Sequence, residues 1–206
     1  CLSLCGLDFV DSSGLRILLM TARDAMKRSG RLRMVSTTTH IRHMLKVSGL
    51  DGLFEIDPDA DVEAAPEAVS PITEKSCCID MPPEVGSCHE ARSAVCGFAA
   101  GAGYTPDMID DIRLALGEAV SNAIRHGTRQ GSIRIRAERE DDRLIVRISY
   151  PSSVFDPDSV PKPDLESGPS GGMGIYFMRL VMDEVSYHFE HDNATVELVK
   201  LHEAAQ

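Results

Sequence analysis

The chain has 206 residues, room for one large domain or two small ones, and 43% of them are apolar, enough for ordinary cores. Its formal charge of −11 argues against nucleic acid or an anionic membrane surface as a direct partner. No apolar run reaches bilayer length, and the six cysteines include no CxxC pair, which suits reduced thiols in a cytoplasmic protein better than a zinc site.

Residues 1–57 alternate strand and helix. Leu2, Leu4 and Leu7 predict a first strand. It begins at Cys1 as if already inside a sheet, so a further N-terminal piece is expected. Asp11 or Ser12 caps a helix that runs to about residue 27, with Leu15, Leu18, Leu19, Ala22 and Met26 inward. Ser29-Gly30 ends it. A second strand over 31–36, a helix over 38–47 and a short strand at Leu53, Phe54 and Ile56 follow. That order implies a parallel α/β layer. His40 and His43 are expected on the surface of the second helix. Residues 58–75, PDADVEAAPEAVSPITEK, are acidic, rich in Pro and Ala, and without apolar period; they read as a linker.

In the segment 76–206, a strand over 77–81 ends at Pro82-Pro83. A helix over 84–100 points Val85, Cys88, Ala91, Val95 and Phe98 or Ala99 inward. The helix that organises the segment covers 107–127. Ile109, Ile112, Leu116, Val120 and Ala123 make its apolar face, Pro106 sits at its start, and Gly127 stops it. Glu118, Asn122 and Arg125 or His126 form a second, polar stripe. A carboxylate and an amide one turn apart, about 6 Å, can hold a proton acceptor beside a metal-binding oxygen. Alternating strands over 132–138 and 144–150, a long loop over 150–171, a helix over 174–182 and a last hairpin with its turn at His191-Asp192-Asn193 complete an α+β sandwich. His188 and His191, three apart in a strand, are expected on opposite faces.

Two stretches carry a resemblance. LDFVDSSGLRILL with VSGLDGLFEI resembles the C-terminal half of a STAS domain of the anti-sigma-factor antagonist kind. The resemblance makes Ser12, directly after the aspartate, the phosphoacceptor, and a helix N-terminus favours an added phosphate. EAVSNAIRHG with GGMGIYFMRLVMDEV resembles the GHKL ATPase family and, within it, the anti-sigma-factor serine kinases. It implies a GHKL-type sandwich, helices on one face of a mixed, mostly antiparallel sheet, over 76–206, preceded by a partial STAS-like domain over 1–57.

The same resemblance implies roles. Glu118 is the general base, Asn122 binds Mg²⁺ and ATP, and His126 belongs to the ATP site. Gly171, Gly172, Met173 and Gly174 offer N–H groups to the phosphates, and Arg92 on the first helix contacts the partner. The cofactors are ATP and Mg²⁺, and the partners a sigma factor, a STAS-domain protein or both; a homodimer stays open. The activity implied is partner switching through phosphorylation of a STAS serine.

The chain departs from the family at one box. Where the family carries Asp-x-Gly-x-Gly, with the aspartate reading the adenine amino group, this chain has Tyr150-Pro151-Ser152-Ser153-Val154, aligned by Phe155-Asp156-Pro157. A phenol accepts a hydrogen bond less well than a carboxylate. ATP then binds weakly through its phosphates, or another acceptor reads adenine, or the pocket is empty. The last outcome describes a different protein: a non-catalytic GHKL-fold module that sequesters a sigma factor or STAS partner.

Overall fold

The computed structural model describes residues 1–4, 7, 9–35, 37–57, 76–84, 86–128, 131–152, 157 and 172–202. They fall into two compact units, 1–57 with 172–173, and 76–152 with 157 and 174–202. Val85 and the Phe155-Asp156 pair lie outside the described residues, as do the linker and most of the long loop.

In the first unit, β1 (Leu2–Ser3), β2 (Leu32–Val35) and β3 (Phe54–Ile56) form a parallel sheet in the order β1-β2-β3. Parallel pairing follows from the crossover helices α1 (Ser12–Lys27) and α2 (Thr39–Val47) between successive strands. β1 is shorter than the run of leucines predicts: Leu4 is buried beyond its end, and Leu7 is exposed. Leu15, Leu18, Leu19 and Ala22 face inward as expected, while Met26 is exposed. It lies in the last turn of α1, where the chain reverses through Ser29 at φ 59° and Gly30 N–H donates to the Ala25 carbonyl at 2.9 Å. The surface position expected for His40 is also wrong. Its ring belongs to the inward stripe of α2, with Ile41, Met44 and Leu45. Positions three and four apart share one helical face, and a polar ring on that face is buried with the rest.

In the second unit, β4 (Ser76–Met81), β5 (Ile133–Glu140), β6 (Arg143–Pro151), β7 (Glu184–Glu190) and β8 (Asn193–Leu201) form one sheet in the order β4-β5-β6-β8-β7. Every neighbouring pair among them is antiparallel, so the mixed sheet expected from the resemblance is simpler among the described strands. The reason is the connection: two helices, α3 (Ser87–Gly101) and α4 (Pro106–His126), separate β4 from its neighbour β5 and return the chain in the opposite direction. α3 packs on β4 and β5, and α4 on α3, β6 and β8. The inner rows are apolar: Ile133, Ile135 and Ala137; Leu144, Val146 and Ile148; Ala194, Val196 and Leu198.

The opposite face is a ladder of charges. Register places Arg136 directly across from Arg147, a repulsive pairing on its own. Glu138 resolves it by accepting from both, at 2.6 Å from Arg136 and 2.8 Å from Arg147, and Glu197 accepts from Arg147 at 2.7 Å.

At one end of this unit the Tyr104 hydroxyl donates to the Lys200 carbonyl at 3.1 Å. The Lys200 ammonium donates to Asp111 and to the Val181 carbonyl, each at 2.7 Å. The start of α4, the end of β8 and the C-terminus of α5 (Met173–Val181) are thereby joined. Burial pushes the Tyr104 phenol from its ordinary 10 up to about 12. The unfolded chain therefore loses this proton first. Stability from Tyr104 is complete below pH 10 and is lost as pH rises through about 12. Denaturant titrations of the wild type should show a fall of up to about 2 kcal/mol across that window that Tyr104→Phe lacks. Identical alkaline slopes for the two proteins would contradict this assignment.

Candidate nucleotide site on the central helix

α4 forms where the sequence predicts, capped by the Thr105 hydroxyl, which accepts from Met108 N–H at 3.4 Å, with Pro106 in its first turn. Its buried face is wider than the predicted apolar stripe. Leu114, Ala115, Gly117 and Ala119 are buried along with Ile112, Leu116, Val120 and Ala123, because α3 covers one side and the sheet another.

That enclosure grades the polar stripe. Glu118 is 0% exposed, Asn122 is half-buried, and Arg125 and His126 are exposed. A carboxylate thus sits deep, an amide one turn toward the surface, and an imidazole at the rim. Partial burial of the His126 ring, and then the charge of Arg125, push its pKa below the ordinary 6.5, so it is neutral at pH 7.

The C-terminal end of α4 is fastened to the end of β6. Gly127 leaves the helix with φ −69° and ψ 165°, a conformation open to any residue. What requires glycine there is space. A Cβ would collide with the Ala123 carbonyl oxygen and come within 3.1 Å of Tyr150 Cδ2 and 3.3 Å of the Pro151 carbonyl. Thr128 N–H donates to the Pro151 carbonyl at 2.8 Å, and Ser152 N–H to the Asp192 carbonyl at 2.8 Å. Tyr150 is 5% exposed, and burial pushes its phenol up, so the ring is neutral. Tyr150 is therefore packed on the end of the helix that carries Glu118 and Asn122. Gly127 and Ser152 as members of this junction were not legible beforehand. Gly127 reads as an ordinary helix stop, and only the coincidence of helix end and strand end gives it a second meaning.

The glycine run lies at the start of α5. Gly171 is outside the described residues. Gly172 has φ 87°, which a Cβ disfavours, and Met173 and Gly174 are buried in the first helical turn. The first N–H groups of a helix have no partner within it and are free to meet an anion.

Arg92 is half-buried on α3, and its charge is felt at the Cys96 thiol one turn on. Burial raises the thiol pKa, and Arg113, which contacts it, lowers it in part. Arg113 also lies 3.7 Å from Asp110 of α4. Arg92 thus stands beside the polar seam between α3 and α4. In the first unit, Ser12 is the first residue of α1 rather than its cap. Asp11 is the cap, its carboxylate accepting from Gly14 N–H at 2.9 Å, and Ser12 is 7% exposed.

Both His188 and His191 line one groove of about 330 Å³ with Glu190, Asn193 and Thr195 at the β7–β8 hairpin. The expected opposite faces are overturned because His191 lies in the turn, at φ 53°, where strand alternation has ended. Among the described residues no group of three His, Cys, Asp or Glu side chains could hold a metal ion.

Residues 81–200 match the histidine kinase-like ATPase domain family, and residues 1–55 match the family described as Mlab, STAS domain. The chain is 32% identical over 120 residues to the serine-protein kinase RsbW of Bacillus subtilis, covering 53% of this chain and 74% of that protein. It is 33% identical over 120 residues to the anti-sigma F factor of Clostridium beijerinckii, covering 53% of this chain and 82% of the relative. A crystal structure of the RsbU and RsbW domains of a Mycobacterium tuberculosis protein superposes with a TM-score of 0.49 at 17% identity, covering 62% of this chain and 32% of that one.

Proposed function

This chain belongs to the histidine kinase-like ATPase family, and on that premise we propose that it is an ATP-dependent serine kinase of the anti-sigma-factor type. The kinase domain is 76–206, joined by the linker 58–75 to a STAS element at 1–57. It phosphorylates a STAS serine and switches partners between a sigma factor and a STAS protein, in the cytoplasm. No helix among the described residues is long and apolar enough to cross a membrane.

The observation that carries this reading is the fully buried Glu118 one turn from the half-buried Asn122. Burying a carboxylate is costly unless it is paired, and Glu118 keeps an interaction at that depth on the central helix. The donor set also suits a metal-bound triphosphate. The Asn122 amide oxygen is a hard ligand of the kind Mg²⁺ takes. Met173 and Gly174 supply helix-N-terminal N–H groups for phosphate oxygens, and Gly172 gives the turn a conformation other residues resist. The resemblance adds Gly171, next to Gly172 in the sequence, and the neutral, exposed His126 to the same set.

When bound, ATP supplies the γ-phosphoryl group, and Mg²⁺ neutralises its charge. Glu118, 0% exposed as the unit stands, takes the proton from the acceptor hydroxyl after the residues that cover it give way. The serine oxygen bonds to the γ-phosphorus as the bond to the bridging oxygen breaks, and ADP leaves. Phosphate on the acceptor adds charge at a contact surface and changes which complex forms. Arg92 on α3 is the partner contact. Incubation of the full chain with ATP, Mg²⁺ and a STAS-domain protein should yield phosphoserine on that protein or on Ser12. No transfer to either, with nucleotide bound, would overturn the kinase reading.

One observation favours a second reading. Tyr150 is buried and neutral where a carboxylate would read the base. A charged hydrogen bond lost there costs about 1.5–3 kcal/mol, or one to two decades in affinity. If calorimetry detects no ATP binding with Mg²⁺, the protein is a non-catalytic module that sequesters its partner.

A further inference from the structure

Ser12, one of the two acceptors open to the proposed reaction, is buried as the first unit stands. A general base must come within about 3 Å of the hydroxyl, and Ser12 is 7% exposed. So little of the residue is open that movement of the segment around it would widen the approach for a carboxylate.

Contacts among the described residues hold that segment. Val10 is buried, and its Cγ1 lies where a Cβ on Gly14 would approach to 2.8 Å. The Asp11 carboxylate caps α1 through Gly14 N–H. Phe9 stacks on His40, with ring centroids 4.8 Å apart and planes 19° from parallel. The first two contacts lie within the serine segment and its own helix. The third comes from α2.

The first turn of α2 is a firm anchor. The Thr38 hydroxyl accepts from Ile41 N–H at 3.4 Å. Arg42 donates to the fully buried Thr37 hydroxyl and to the Asp57 carbonyl, each at 2.9 Å. His40, 1% exposed, projects from that turn to the half-buried Phe9, three residues ahead of Ser12.

We propose that His40 is a positioning residue for phosphorylation of Ser12: its stack on Phe9 latches the serine segment closed, and Ser12 takes phosphate only when that stack opens. The proposal rests on the reading of Ser12 as an acceptor, and its test separates the two. The Phe9 ring is the half of the latch tied to the acceptor, because it lies three residues ahead of Ser12 in the chain, while His40 belongs to an anchored helix. A partner that binds the Phe9 ring, or draws it off the imidazole, exposes the acceptor as it docks.

The experiment uses the full chain carrying Ser12→Cys. N-ethylmaleimide modification of the introduced thiol is followed by mass spectrometry of the peptide spanning residue 12. His40→Ala and Phe9→Ala should each speed that modification at least about tenfold, the size of a contact worth roughly 1.4 kcal/mol. His40→Phe keeps a flat ring in place and should label as slowly as His40 itself. Amide exchange at β2 monitors whether the unit stays folded. If His40→Ala fails to fold, Phe9→Ala, which alters a half-buried side chain, carries the test. Unchanged labelling in Phe9→Ala, or labelling in His40→Phe as fast as in His40→Ala, overturns the latch. With Ser12 restored, His40→Ala should raise phosphate incorporation at Ser12 under ATP and Mg²⁺. Faster labelling with no phosphate on Ser12 in any background leaves the latch standing and removes Ser12 as an acceptor.

Discussion

Glu118→Gln should abolish serine phosphorylation while the fold survives. The carboxylate is fully buried on α4, and glutamine matches its shape while lacking the basic oxygen. Removing a general base costs about 10²- to 10⁴-fold in rate. The variant should still bind ATP, because the Asn122 amide and the N–H groups of the α5 first turn are untouched. Single-turnover phosphate transfer and calorimetry on the same preparation separate the two effects. Transfer at the wild-type rate would remove Glu118 from the chemistry. Loss of both transfer and nucleotide binding would mean that Glu118 holds the pocket together instead.

Gly127→Ala should destabilise the ATPase unit by about 3 kcal/mol, the cost of forcing atoms into a packed junction. The backbone at Gly127 suits alanine, so the cost is all steric. The new methyl meets the Ala123 carbonyl on one side and the Tyr150 ring and Pro151 carbonyl on the other. Neither neighbouring carbonyl can yield without unwinding the last turn of α4 or lifting the end of β6. That turn carries His126 and follows Asn122, so ATP affinity should fall with stability. Thermal unfolding with and without nucleotide measures both. A variant as stable as the wild type would mean that α4 and β6 do not meet as described.

The two predictions show where sequence was sufficient and where it was not. α4 was legible because its signals agree: Pro106 at one end, apolar residues at spacings of three and four, Arg125 and His126 at the other. The β5–β6 hairpin was legible from alternation, which a one-residue slip would invert, and the β7–β8 hairpin from its turn at His191-Asp192-Asn193. Burial on a shared face was harder. His40 falls in an apolar stripe, yet a polar ring alone gives no reason to place it inside. The depth of Glu118 depends on how far α3 and the sheet wrap α4, which is a property of packing between elements distant in sequence. The role of Gly127 depends on Tyr150, Pro151 and Ser152, more than twenty residues away, and no local pattern encodes that meeting. The cap at Asp11 was open between two neighbours because aspartate and serine both cap well. The chain chose aspartate and left Ser12 inside the first turn.

Diffraction from crystals grown with Mg²⁺ and a non-hydrolysable ATP analogue would locate the nucleotide against α4 and the start of α5. Phosphate oxygens are expected on the N–H groups of Gly172, Met173 and Gly174, the metal on the Asn122 side-chain oxygen, Glu118 facing the γ-phosphate, and the base near Tyr150. Nucleotide bound elsewhere, or crystals that bind none at saturating analogue, would contradict that placement.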